Sequence, residues 1–197
     1  MSSSSDAALP RFLTSTASSR EFSRPVSVLK SSAIVACGVL LIAALAHVSL
    51  PWQPVPLTGQ TFGVCLMALL YGRRLSAGTM LAYMAAGAAG LPVFAAGQSV
   101  LLGATSGYLV GMLLAATVIG TAADHGISKS FMRAFLTCVL GMAIVFACGL
   151  IALSAYVPRG SLLAAGLWPF VVGDLVKCAL AALISTRIRL LLPSTRA

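Results

Sequence analysis

Charge is what this sequence has least of. Only 9% of its 197 residues are Asp, Glu, Lys or Arg, and only four of those are acidic. A soluble domain carries about 25% charged residues, so a water-soluble fold is excluded. Strict alternation of apolar and polar residues is also missing, which argues against the strands of a membrane barrel. The five cysteines, Cys37, Cys65, Cys138, Cys148 and Cys178, lie inside apolar runs with no C-x-x-C pair; they read as small buried hydrophobes. His47 and His125 have no second histidine or carboxylate at metal-ligand spacing, so no metal or cofactor is expected. There is no Walker A loop, so the chain is not expected to hydrolyse ATP itself. No nucleophile stands at motif spacing from a base, and an enzyme is not expected.

What the sequence does have is apolar length. Residues 1–27 are rich in Ser and Thr, lack a hydrophobic period and are expected to form a disordered cytoplasmic tail. Residues 28–197 are expected to form one transmembrane domain. Its first apolar run, Ser31 to Leu50, exceeds the short core of a secretory signal and reads as a first membrane helix. Pro51-Trp52-Gln53-Pro54-Val55-Pro56 breaks it, with Trp52 suited to the membrane–water interface. Further helices are expected over Leu57–Tyr71, stopped by Gly72-Arg73-Arg74, and over Leu75–Leu91, ending at Gly90 and Pro92. After a loop over 92–104 come helices over about 105–123, 131–156 and 167–192. The fold class is all-α, a polytopic membrane protein of six transmembrane helices. A span needs about 20 residues, so the second and third helices are short.

The net charge of +9 is a topology signal rather than a nucleic-acid patch, because no basic and aromatic residues interleave. Arg11, Arg20, Arg24, Lys30, Arg73, Arg74, Lys129, Arg133, Arg187, Arg189 and Arg196 fall on one side of the six-helix scheme, and Arg159 alone on the other. Cytoplasmic loops carry the excess of Lys and Arg, so both termini are expected in the cytoplasm, with the protein in the cytoplasmic membrane.

The last run, Leu167 to Ile184, carries Asp174 and Lys177. An ionisable residue at the bilayer centre costs roughly 2.5–3.5 kcal/mol on insertion scales, and three positions apart puts these two on one helix face. They read as a polar binding site, against the alternative of a structural ion pair locking two helices. Asp174 lies about 9 Å below Trp168 at 1.5 Å per residue. The prolines of 51–56, the loop 92–104 and the start of the fourth helix share that outer side, so a pocket open to the outside is expected over the Asp174–Lys177 face. Around it, Thr105, Tyr108, Phe94, Gln60 and Gln98 are candidate ligand contacts. A buried phenol such as Tyr108 needs a partner, Phe94 serves either as an apolar ligand wall or as core, and the two glutamines either meet ligand or face water. Gly103, Gly107 and Gly111 read as packing positions, and Asp124-His125 as a solvated turn.

Four stretches together resemble one family. Val55-Pro56-Leu57-Thr58-Gly59-Gln60-Thr61-Phe62, Gly87-Ala88-Ala89-Gly90-Leu91-Pro92-Val93-Phe94, Gly103-Ala104-Thr105-Ser106-Gly107-Tyr108 and Gly173-Asp174-Leu175-Val176-Lys177 resemble, in order and spacing, segments of the BioY family of biotin transporters, the substrate-binding S components of energy-coupling factor (ECF) transporters. The resemblance covers about residues 31–192. This chain departs from it in the loop Ala95-Ala96-Gly97-Gln98-Ser99, poorer in glycine than the family's, and in Ala104-Thr105-Ser106-Gly107-Tyr108 where Pro-Thr-Gly-Gly-Tyr is usual. The alanines four apart used for docking are matched only by Ser32/Ala36 and Ala33/Cys37.

The resemblance implies a six-helix S component that captures biotin from outside, with a transmembrane T component and two ATPase subunits as partners in the lipid bilayer. Biotin offers two ureido N–H donors, a carbonyl acceptor, an apolar thioether ring and a carboxylate. Asp174 can take a ureido N–H while Lys177 gives to the carbonyl; alternatively Lys177 pairs the carboxylate and Asp174 meets the ring alone. The competing readings are an S component for another vitamin, a membrane enzyme with Asp174 as acid or base, and a structural subunit with an assembly ion pair.

Overall fold

The computed structural model describes residues 18–50, 54–95 and 103–191. Gln98 and Trp52 lie outside the described residues. Helix α1 runs Ser18–His47, so it begins inside the stretch expected to be a disordered tail. By compactness Met1–Ala33 is a unit of its own, and Ile34–Ala197 is the other.

Ser49–Leu50 (β1) and Leu57–Thr58 (β2) pair antiparallel, Ser49 with Thr58 and Leu50 with Leu57. The second helix therefore starts at Gln60, three residues later than its apolar run. Element α2 spans Gln60–Ala88 but leaves helical geometry at Gly72, φ 76° and ψ 179°. Gln60 and Tyr83, about 35 Å apart along a straight helix at 1.5 Å per residue, are hydrogen-bonded at 2.7 Å. So α2 is a hairpin of two antiparallel arms, 60–71 and 73–88. A positive φ favours glycine, and a side chain at 72 would also run into the Asp124 carboxylate.

That turn is held from three directions. Asp124 Oδ2 accepts the Arg73 N–H at 3.0 Å, so this carboxylate is a helix cap rather than only part of a solvated turn. It also offsets the unfavourable placement of Arg73 and Arg74 at a helix N-terminus. On the other arm, Leu69 O accepts from Ser128 Oγ at 3.1 Å and from Arg189 Nη2 at 2.7 Å. Arg189 Nη2 also reaches Leu70 O at 3.3 Å. These are end-of-helix carbonyls that the helix cannot pair internally.

Beyond the hairpin come α3 (Ser106–Asp124), a 3₁₀ turn (Ile127–Lys129), α4 (Phe131–Leu153), a short α5 (Leu162–Gly166) and α6 (Trp168–Leu191). Helix α5 falls between the helices expected over 131–156 and 167–192. Among the described residues, four helical segments are long and apolar enough to cross a membrane: Val28–His47, Ser106–Asp124, Phe131–Leu153 and Leu162–Leu191. The arms of α2, about 18 and 24 Å long, are shorter than the roughly 30 Å hydrocarbon layer. The first arm is the centre of the core, with Val64, Cys65, Met67, Ala68 and Leu69 all buried.

Small residues set the helix spacing, as expected where lipid tails remove the hydrophobic drive between helices. On α4, Ala134, Cys138, Gly141, Met142, Val145, Gly149 and Leu153 form the buried stripe, while Met132, Leu136, Leu140 and Ile151 face outward. Gly107 meets Cys148 and Ala152, and Gly111 meets Val145. Gly103, read from the sequence as a third packing position, has nothing within 4 Å of where its side chain would stand among the described residues. Gly111→Leu would place a Cβ 2.7 Å from Val145 Cα; it is expected to destabilise by about 1–3 kcal/mol, read as a lower melting temperature in detergent, while Gly103→Ala stays within about 0.5 kcal/mol of the parent.

Candidate ligand-binding site

Asp174 and Lys177 lie in the first half of α6, on one face, as their spacing requires. Lys177 Nζ stands 2.8 Å from Asp174 Oδ1. The aspartate side chain is 5% exposed and the lysine side chain 26%, so the couple is sunk, the aspartate deeper than the lysine.

The first arm of α2 and the strand β2 just before it supply the rest. Thr61 Oγ1 donates to Asp174 Oδ1 at 2.9 Å. Lys177 Nζ donates to Thr58 O at 2.7 Å and to Thr61 Oγ1 at 3.3 Å. An ammonium has three protons, and all three are taken. Asp174 Oδ1 receives two donors, whereas Oδ2 accepts no hydrogen bond among the described residues. The arrangement thus offers one free carboxylate oxygen beside a saturated ammonium whose weakest bond, to Thr61, is the easiest to exchange.

A second polar chain leads away from the pair. Thr58 Oγ1 donates to Gln60 Oε1 at 3.1 Å, Gln60 Nε2 donates to the Tyr83 hydroxyl at 2.7 Å, and that hydroxyl donates to Val93 O at 2.9 Å. Phe94 meets Tyr83 edge-on, with ring centroids 5.3 Å apart, and its ring lies where a Gly87 side chain would stand. Of the sequence candidates, Asp174, Lys177, Gln60 and Phe94 are therefore joined through Thr58, Thr61 and Tyr83. Tyr108 is not joined to them: its hydroxyl donates to Gly166 O at 2.8 Å and its ring packs on Gly149. Thr105 precedes α3, where its carbonyl accepts from the Tyr108 and Leu109 amides. No hydrogen bond ties it to the ion pair among the described residues.

A sequence profile of the BioY family matches residues 15–194. The chain belongs to the BioY family. It is 40% identical over 153 residues to the biotin transporter BioY of Thermotoga maritima, covering 76% of this chain and 89% of that one. It is 33% identical over 163 residues to the probable biotin transporter BioY of Pyrococcus horikoshii, covering 81% and 96%. Its fold matches the solved S-component for biotin from an ECF-type ABC transporter with a TM-score of 0.70, covering 89% of this chain and 95% of that one at 24% identity.

Thr58, Thr61 and Tyr83 escaped the sequence reading of this BioY chain. The threonines sit within a stretch that was singled out, one on either side of Gln60, and a carboxylate in an apolar helix needs donors. Tyr83 carried the signal that was applied to Tyr108, a phenol inside an apolar run. Thr61→Val, which keeps the shape and removes the hydroxyl, is expected to cost about 1–3 kcal/mol by taking a donor from a buried carboxylate; thermal unfolding of the ligand-free protein reads this directly.

Proposed function

We propose that this chain is the substrate-binding S component for biotin of an ECF-type transporter, and that it captures the vitamin from outside the cell for uptake across the cytoplasmic membrane. The observation that carries this is the run of relatives named as biotin transporters, matched over most of their own length. The chemistry of the site agrees with it. A carboxylate oxygen with open lone pairs beside an ammonium suits a ureido group, which is a donor and an acceptor in one plane.

In this reading Asp174 Oδ2 accepts a ureido N–H, and Lys177 exchanges its long bond to Thr61 for the ureido carbonyl while keeping Thr58 O and Asp174. The same exchange by Lys177 also admits the biotin carboxylate, and the amide comparison below separates the two modes. Phe94 would contribute an apolar wall and Gln60 a fixed amide, with Gln98, Thr105 and Tyr108 as further contacts. Before ligand arrives, the ion pair and Thr61 satisfy one another, which limits the penalty of holding two charges below the surface.

The membrane arrangement follows the same proposal. The four long apolar segments and the two arms of α2 give six crossings, with residues 28–197 as one substrate-binding domain. Eleven basic residues on one side against Arg159 on the other support cytoplasmic termini. Energy would come from partners, a T component and two ATPase subunits.

Asp174→Asn and Lys177→Ala are each expected to weaken biotin binding by about a hundredfold or more, because the remaining partner is left without its counter-charge. Titration of purified protein with labelled biotin checks the first expectation, and uptake by cells with and without an ECF module checks the transport step. Wild-type binding in both variants would remove the site assignment. Biotin amide, which lacks the carboxylate charge, is expected to bind within about threefold of biotin, a difference well under 1 kcal/mol; competition against labelled biotin measures it, and a loss of two orders of magnitude would move Lys177 to the carboxylate.

A further inference from the structure

The chain Thr58–Gln60–Tyr83–Val93 has only one possible direction. Val93 O is a backbone carbonyl and can only accept. Tyr83 has one hydroxyl proton and gives it to that carbonyl at 2.9 Å. Toward Gln60 the phenol oxygen can therefore only accept, so the amide must turn its NH₂ group to Tyr83, at 2.7 Å. Its carbonyl oxygen then faces Thr58 Oγ1 at 3.1 Å, and Thr58 must donate. One acceptor at the far end thus orients the Gln60 amide and the Thr58 hydroxyl, and the backbone carbonyl of the same threonine holds Lys177 Nζ at 2.7 Å.

Tyr83 is fully buried and lies on the second arm of α2, 23 residues from Gln60. A ligand does not reach it. Its ring is fixed by Phe94, 5.3 Å away and edge-on, so its hydroxyl has little freedom to choose another partner. We propose that Tyr83 is a positioning residue for the ligand site: by donating to Val93 O it fixes the orientation of the Gln60 amide and, through Thr58, the acceptor that holds Lys177. This rests on the reading of Asp174 and Lys177 as the biotin site and adds a residue that acts on them at second hand. It also explains why Gln60, buried beside the ion pair, is a glutamine. Glutamate would be an acceptor at both ends and would draw the Tyr83 proton away from Val93.

The experiment compares full-length wild type, Tyr83→Phe, Gln60→Met, Gln60→Glu and the Tyr83→Phe/Gln60→Met double variant, in biotin association and dissociation rates and in thermal unfolding. Tyr83→Phe keeps the ring on Phe94 and is expected to raise Kd about tenfold, mostly through faster dissociation, as hydrogen-bonded groups lose their partner. In the Gln60→Met background the same substitution is expected to change Kd no further, since Tyr83 acts only through Gln60. Gln60→Glu, which keeps both side chains in place, is expected to speed dissociation to a similar degree and serves if Tyr83→Phe does not fold. Wild-type dissociation in Tyr83→Phe or in Gln60→Glu, or a Tyr83 effect that simply adds to that of Gln60→Met, would overturn the proposal while leaving the biotin site standing. Absence of biotin binding by the wild type would instead remove the function on which it rests.

Discussion

Two opposite charges three residues apart on an apolar helix dominate the energetics of this molecule. Taking a carboxylate and an ammonium out of water is costly, and their attraction offsets that only when the remaining lone pairs and protons find partners. Here the partners come from the first arm of the α2 hairpin and from β2 just before it. Thr61 Oγ1 bonds to both members of the pair, and Thr58 O takes a third lysine proton. The pair therefore dictates which helix must stand beside α6, and at what height. The burial of that arm and the turn that returns it follow from the same demand.

This accounts for a division of labour between helices. Segments such as α4 turn Met132, Leu136, Leu140 and Ile151 outward and place glycines among the residues of the buried face, which is how helices approach closely in a membrane. The first arm of α2 is buried along most of its length and carries the polar atoms of the site. A helix surrounded by protein need not match the thickness of the bilayer, so this arm can be short and begin with Gln60 and Thr61. The two-residue strands before it bring Thr58 to the lysine with its carbonyl free to accept.

Much of this was legible in the sequence, for definite reasons. Gly72 marked the turn of the hairpin because glycine tolerates the required backbone. The ends of α3 and α6 fell within a residue or two of their apolar runs. Asp174 and Lys177 declared themselves because charge is expensive where they lie. The failures are just as specific. Thr61 meets Asp174 across 113 positions and Lys177 meets Thr58 across 119, and no local pattern encodes such pairings. Tyr108 and Tyr83 present the same signal, a phenol in an apolar helix. Only the fold shows that one spends its proton on the Gly166 carbonyl and the other on Val93 beside the site. Gly103 shares the spacing of Gly107 and Gly111 yet packs on nothing described, because the helix begins only at Ser106.

The clasp at the Gly72 turn bears on how such a molecule can move. Arg189 and Asp174 belong to one rod, Leu69 and Thr61 to its neighbour, and each rod is pinned to the other near both ends. Two rods pinned twice cannot slide along one another or swivel independently. Any rearrangement that releases cargo must carry them together as a single rigid block against the remaining helices, or else unfasten one pin first. The arginine, at the end of α6 remote from the ion pair, is thus placed where a load applied at that end would be felt by the grip itself.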